Sequence, residues 1–288
     1  MGEGGGDLRV TLVQGDTRWH DPPGNRAYYG DLVAPLGGST DLVILPETFT
    51  SGFSNEAVAH AETMRGATGE WMLEQAAALD AAVTGSVQIR VEEGVYNRLL
   101  WAQPDGTLRH YDKRHLFRYA DEHHFYAPGR ERLVVEWRGW RVCPLVCYDL
   151  RFPVFSRNRY QVGGGVAGEN GEAGAPPGTR DPEAGALDYD LLIYVANWPA
   201  PRADVWSTLL RARAMENLAC VAGVNRVGVD GNGISYAGGS VLLDFVGRPV
   251  ATAPQGEAVV TGVLSAPGLE AHRRDFPAML DADRFRLE

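Results

Sequence analysis

The chain has 288 residues, 44% of them hydrophobic, and a formal net charge of −10. That apolar share is ample for a continuous core, whereas the acidic balance disfavours a nucleic-acid scaffold, which presents a basic face, and attraction to anionic membranes. Three cysteines cannot pair completely and are too few to staple a fold of this size, so free thiols in a reducing compartment are expected.

The segment 1–7 is Gly-rich and acidic, without the basic and apolar blocks of a signal peptide, and the chain lacks the Ser or Thr at position six of a myristoylation motif. No apolar stretch is long enough to span a bilayer, so a cytoplasmic protein is expected. In chain order, apolar runs at 8–13 and 42–45 read as strands, and 70–83 reads as an amphipathic helix with Met72, Ala76, Leu79 and Val83 on one face. Strand-like runs follow at 83–89 and 95–102; Pro104-Asp105-Gly106 then marks a hairpin turn, as Arg138-Gly139 does ahead of the run 142–147. Residues 161–187 are rich in Gly, Pro, Ala and acids without apolar periodicity, which predicts a flexible surface insertion. Within it Gly163, Gly165 and Gly168 match the dinucleotide-binding spacing, but no strand-turn-helix unit surrounds them. Beyond it come a strand at 191–195, a helix at 204–217 with Val205, Leu209 and Ala212 aligned, and strands at 219–224, 241–245 and 259–264. The charged end, with Arg273, Arg274, Asp275, Asp281 and Asp283, reads as a solvated tail or interface segment. Strands alternating with helices and hairpins predict an α/β protein with a mixed sheet.

Chemistry is concentrated at the exits of two of these strands and in one polar segment between strands. Cys147 ends an apolar run and opens the polar stretch Tyr148-Asp149-Leu150-Arg151, where a thiol can face a cleft while the strand behind it stays buried. Free cysteine is also among the most buried residue types, and Cys143, inside the same run, fits that inert reading. Glu47 directly follows the run 41–46, and Lys113 lies in Tyr111-Asp112-Lys113-Arg114-His115. Singly, a Glu at a strand end is usually a solvated turn residue and a Lys in a charged run an exposed one. Together, a thiol, a base and a cation are a sufficient set for acyl transfer from an amide. Asp121-Glu122-His123-His124 reads on its own residues as a polar loop or, from its histidines and carboxylates, a metal site, without a paired ligand motif elsewhere.

Five segments carry a resemblance: Leu45-Pro46-Glu47-Thr48-Phe49, Tyr111-Asp112-Lys113-Arg114-His115-Leu116-Phe117, Leu145-Val146-Cys147-Tyr148-Asp149-Leu150-Arg151-Phe152-Pro153, Ala196-Asn197-Trp198-Pro199-Ala200-Pro201-Arg202 and Arg211-Ala212-Arg213-Ala214-Met215-Glu216-Asn217. Through them the chain resembles the nitrilase superfamily of carbon–nitrogen hydrolases, and its bacterial ω-amidase branch more than the nitrilases proper. The resemblance runs over nearly the whole chain, which implies one domain over 1–288, and departs from the branch at about 161–187, between motifs.

The resemblance implies a four-layer α-β-β-α sandwich assembling as a homodimer or larger homo-oligomer, a catalytic triad of Glu47, Lys113 and Cys147, Glu122 as a second carboxylate, and the backbone N–H of Tyr148 as an oxyanion donor. It implies hydrolysis, through a Cys thioester, of small ω-amido keto acids such as α-ketoglutaramate or α-ketosuccinamate. Arg151, Arg202 and the Asn197-Trp198 turn are candidates for holding the substrate carboxylate, with Phe53 and Trp198 as walls. No metal and no cofactor is expected, and the partners are a small-molecule amide and water. The alternatives keep the scaffold but change the chemistry: N-carbamoyl amide or nitrile hydrolysis, N-acyl transfer, a Cys-His hydrolase using His115, His123 or His124, or a binding protein without turnover.

Overall fold

The computed structural model describes residues 6–161, 185–283 and 285. Its first half runs β1 (Leu8–Gln14), α1 (Pro22–Val33), β2 (Leu42–Ile44), α2 (Ala67–Leu79), β3 (Ala82–Val91), β4 (Gly94–Ala102), β5 (Leu108–Asp112), β6 (Val135–Trp137), β7 (Trp140–Val146), α3 (Pro153–Ser156) and β8 (Tyr160–Gln161). The second half runs β9 (Ala186–Leu187), β10 (Leu191–Ala196), α4 (Ala203–Asn217), β11 (Cys220–Asn225), β12 (Val227–Val229), β13 (Ser235–Ala237), β14 (Val241–Leu243), β15 (Pro249–Thr252), β16 (Ala258–Leu264) and α5 (Ala266–Asp275).

Two six-stranded sheets result, ordered β16-β1-β2-β3-β4-β5 and β15-β14-β11-β10-β7-β6. Each has a parallel centre, β1-β2-β3 and β7-β10-β11, flanked by antiparallel strands. Alternation along the strands divides their side chains between two cores. Val10, Leu12, Leu42 and Ile44 join a core shared with the second sheet, where Val142, Leu145 and Val195 sit. Val13, Val43, Leu45 and Val83 point outward to Tyr29 and Val33 of α1 and Met72, Ala76 and Leu79 of α2. Helix α4 covers the far face of the second sheet with Trp206, Leu210 and Ala214. The architecture is therefore the expected α-β-β-α sandwich. Among the described residues no helix is long and apolar enough to cross a membrane.

Several local expectations need correction. Helix α2 stops at Leu79 because Asp80 adopts a left-handed conformation (φ 47°), so Val83 reaches the same apolar layer from β3 rather than from the helix. On α4 the buried stripe is Trp206, Leu210, Arg213, Ala214 and Asn217, one residue on from Val205, Leu209 and Ala212, which are only half-buried. Gly223 of β11 sets this register: a Cβ there would lie 2.4 Å from Leu210 Cδ1 and 2.9 Å from Trp206 Cζ2, so the helix seats where the strand has no side chain. The C-terminal segment is not uniformly solvated. Arg273 on α5 pairs with Asp190 at 2.5 Å and donates to the carbonyls of Leu218 and Tyr189, while Arg274 and Asp275 remain exposed. Residues 162–184 of the predicted insertion, including Gly163, Gly165 and Gly168, lie outside the described residues; β8 and β9 pair antiparallel at its base, and Leu187 is buried rather than part of a surface loop. Both predicted hairpins form, with Gly106 (φ 86°) between β4 and β5, and Arg138 and Gly139 (φ 47° and 80°) between β6 and β7.

Candidate active site

Four polar residues stand just beyond strand C-termini: Glu47 after β2, Lys113 after β5, Cys147 after β7 and Asn197 after β10. Strands β2 and β5 belong to one sheet and β7 and β10 to the other, so packing the sheets face to face brings the exits into one cluster. Two of the exits are strained. Thr48 (φ 43°) and Cys147 (φ 44°) both hold left-handed backbone, which costs a residue with a Cβ roughly 1–2 kcal/mol and concentrates at functional sites.

Lys113 is almost wholly buried, not solvent-exposed as a lysine in a charged run would be. Its Nζ donates to Glu47 Oε1 at 2.9 Å and to both Glu122 oxygens at 3.0 Å, and it sits 5.2 Å from the Phe53 ring centre. Glu47 Oε1 also accepts from Asn97 Nδ2 at 2.8 Å, and Oε2 from the Asn197 backbone N–H at 2.8 Å. Glu122 Oε2 accepts from the Phe117 N–H at 2.5 Å. The Cys147 thiol lies 3.9 Å from the Asn197 carbonyl oxygen. Burial alone would raise the Glu47 carboxyl, but the Lys113 ammonium overrides it and holds Glu47 below the usual range. Glu122 is pushed the other way, by burial and by the charge of Glu47, against the pull of Lys113. Burial, then the Glu47 charge, hold the Cys147 thiol well above its ordinary value. Burial lowers Lys113, but the two carboxylates outweigh it and keep the ammonium charged. At rest the cluster is thus a neutral thiol beside an ionised carboxylate and a fixed cation. That arrangement can pass a proton from sulfur to Glu47 as sulfur attacks a carbonyl, and offers the cation to the oxygen left behind.

A cavity of about 150 Å³ opens onto this cluster. Its lining brings together Glu47, Lys113, Cys147, Tyr148, Phe53, Arg151, Asn197, Trp198 and Arg202, all named from the sequence. Glu122 stands behind Lys113 and does not line it. Asn197 lines the cavity while its side-chain amide nitrogen donates to the Glu47 carbonyl at 2.7 Å and to Thr48 Oγ1 at 3.0 Å, which ties it to the turn that carries Glu47. The lining also includes Phe117, Tyr119, Ile234 and Tyr236, which sequence reasoning missed; Phe117 closes one of the quoted segments, and nothing local marks the other three. Asn97 was missed too, although an Asn inside the apolar run 95–102 was a legible signal, since a buried amide needs a partner.

The histidines stand apart from the thiol. His115 turns its Nδ1 to Asp149 Oδ1 at 2.7 Å and stacks on Phe152, and His115, His123 and His124 are all absent from the cavity wall. Asp121, His123 and His124 place ligand atoms within 4.8 Å of one another, whereas Glu122 faces Lys113, so the four-residue motif is not one cluster.

The carbon–nitrogen hydrolase family model matches residues 9–165 and 183–274; the gap, 166–182, falls within the stretch at which the sequence departs from the branch. The chain is 45% identical to the omega-amidase YafV of Escherichia coli K12, covering 97% of this chain and 98% of that one. It is 28% identical to the 2-oxoglutaramate amidase of Bacillus subtilis, covering 94% and 96%. Among solved structures, XC1258 from Xanthomonas campestris, a CN-hydrolase superfamily protein with an arsenic adduct in its active site, superposes with a TM-score of 0.90 at 60% identity, covering 98% of this chain and 99% of that one. The chain belongs to the carbon–nitrogen hydrolase family and is an amide-hydrolysing enzyme.

Proposed function

We propose that this enzyme is an ω-amidase, cleaving the terminal carboxamide of small monoamides of keto dicarboxylic acids, α-ketoglutaramate above all, through a thioester on Cys147. The observation that carries the chemistry is the buried Glu47–Lys113–Glu122 cluster beside a thiol at the end of an open cavity. A free thiol is only a few per cent ionised at neutral pH, so sulfur attack needs a base. Glu47 takes the Cys147 proton as the S–C bond forms, and Lys113 with the Tyr148 N–H receives the oxyanion; one such donor is worth about 3–4 kcal/mol of barrier. As the C–N bond breaks, Glu47 returns the proton to nitrogen and ammonia leaves. Glu47 next takes a proton from water, which attacks the thioester and frees the acid, and the thiol is restored. The charge of Glu122 beside Glu47 disfavours joint ionisation of the two carboxyls, which helps Glu47 take up the thiol proton.

The substrate class rests on the similarity to the two amidases and on two arginines. Arg151 lies over Trp198 at 5.2 Å, and Arg202 over Phe117 and Tyr119 at 5.7 and 5.4 Å. Both line the cavity, and among the described residues neither has an ion pair, whereas Arg98, Arg132, Arg141, Arg226 and Arg273 are all matched to aspartates. In a chain of net charge −10, two unmatched guanidinium groups beside an amide-cleaving thiol fit a substrate that carries a carboxylate. We read residues 1–288 as one domain that assembles as a homodimer or larger homo-oligomer.

Ammonia release from α-ketoglutaramate is the test. Wild type is expected to release it and Cys147→Ser not to. Arg151→Gln and Arg202→Gln are expected to raise KM for the keto acid monoamide more than for a neutral amide. Rapid turnover of neutral amides, N-carbamoyl amides or nitriles with none of the monoamide would overturn the substrate assignment.

A further inference from the structure

Asp149 is fully buried, lies outside the cavity lining and takes no part in the proton transfers above. Its carboxylate accepts four hydrogen bonds. Oδ2 takes the Tyr111 hydroxyl at 2.7 Å and the Val146 N–H at 3.0 Å. Oδ1 takes the His115 N–H at 3.1 Å and His115 Nδ1 at 2.7 Å, and since a carboxylate only accepts, Nδ1 carries the proton in that bond. Tyr111 Oη in turn accepts from the Arg114 N–H at 3.1 Å.

The origin of the donors matters more than their number. Tyr111, Arg114 and His115 bracket Lys113 on the exit from β5, in the first sheet; Val146 precedes Cys147 on the exit from β7, in the second. Asp149 therefore joins the segment that carries the cation to the turn that carries the thiol, across the gap between sheets. The joined turn is the one in which Cys147 holds left-handed backbone, a conformation that persists only where surrounding bonds over-determine it. His115 is further fixed by stacking on Phe152, ring centres 3.8 Å apart.

We propose that Asp149, with Tyr111 and His115, is the positioning group that sets the Cys147 sulfur against Lys113 and Glu47. This rests on the Glu47–Lys113–Cys147 reading but is separable from it. His115 serves here as an oriented donor, not as a general base. Loosening any one bond leaves the triad's residues intact and shifts the thiol relative to base and cation. Because such sites tolerate little displacement, a misplacement of about 1 Å is worth up to roughly a hundredfold in rate.

Four variants test it, with kcat and KM measured beside the rate of Cys147 alkylation by iodoacetamide and the thermal unfolding midpoint. Tyr111→Phe keeps the ring and removes one bond; His115→Ala removes another; His115→Asn places an amide N–H where Nδ1 stands. Tyr111→Phe and His115→Ala are expected to lower kcat by about ten- to a hundredfold with KM little changed, and to alter the alkylation rate in step. His115→Asn is expected to restore most of both. Asp149→Asn, which replaces an acceptor oxygen by a donor, is expected to exceed either single loss. Wild-type kcat and alkylation in both Tyr111→Phe and His115→Ala would overturn the proposal, as would a kcat loss in His115→Ala that Asn does not rescue. If Cys147→Ser is inert while those two variants behave as wild type, only the positioning role falls; turnover by Cys147→Ser overturns the triad and the positioning role together.

Discussion

Lys113 divides one ammonium between two carboxylates that have almost no contact with solvent. Removing it by Lys113→Met leaves two buried acids without a cation, so the cost includes the stranded charge as well as the lost contacts. A destabilisation of about 3–5 kcal/mol is expected, read as a lower urea midpoint, together with loss of turnover. Glu122→Gln tests the opposite side of the same cluster. The Glu122 charge adds to burial and to Glu47 in holding the Cys147 thiol up, so a neutral amide moves the thiol's titration to lower pH. Iodoacetamide alkylation followed against pH is expected to show its midpoint shifted downward. An unchanged alkylation midpoint, with the pH profile of turnover also unchanged, would remove Glu122 from the mechanism. At this scale Glu47, Lys113 and Cys147 could be singled out from their segments as candidates, and Glu122 only through the family resemblance. The hydrogen-bond partners of Asn97, Asn197 and Asp149 could not be read there, because a polar side chain declares its partner only when distant strands are packed.

At the scale of elements, the central strands follow closely from apolar runs, whereas β5, which leads into Lys113, lies in no such run, and the helix boundaries and faces needed the fold. The stripe Val205, Leu209, Ala212 has the right period but is one residue out of phase, and the phase is fixed by Gly223 opposite Leu210 and Trp206. Periodicity gives the width of an apolar face; which residue lies at its centre depends on the surface it meets. Gly223→Val puts methyl groups into that contact. It is expected to cost about 1–3 kcal/mol by overpacking, measured by urea unfolding, and a stability equal to wild type would show that α4 seats elsewhere. Asp80 is the comparable case on α2: its left-handed conformation ends the helix four residues before the apolar pattern does, and the pattern alone cannot distinguish Val83 on a helix from Val83 on the strand that follows.

Across the whole molecule, buried or half-buried carboxylates facing arginines govern the response to acid. Burial raises Asp41, Asp188 and Asp190, but their arginine partners override it and hold each below the ordinary carboxylate range; Lys113 does the same for Glu47. A carboxyl depressed in the folded state contributes stability that is fully present above its unfolded value, about 4, and is lost as pH falls through its folded value. Stability is therefore expected to hold at neutral pH and to decline below about pH 4, measured as the urea midpoint against pH; Glu122, raised on folding, opposes that trend. A midpoint independent of pH across the acid range would count against these pairs. The sequence by itself determined the family, the alternation of strands and helices, and the residues able to attack, hold a proton and carry positive charge, since apolar period and motif spacing are short-range properties written along the chain. Only the tertiary structure decided that Glu47 meets Asn197 across 150 residues, that Asp149 bridges the segments of Lys113 and Cys147, and that Arg151 and Arg202 lack acidic partners among the described residues. Those relations arise where two sheets bring their strand ends together, and a hydrogen bond or an ion pair is a matter of ångströms in space, which no spacing along the chain specifies.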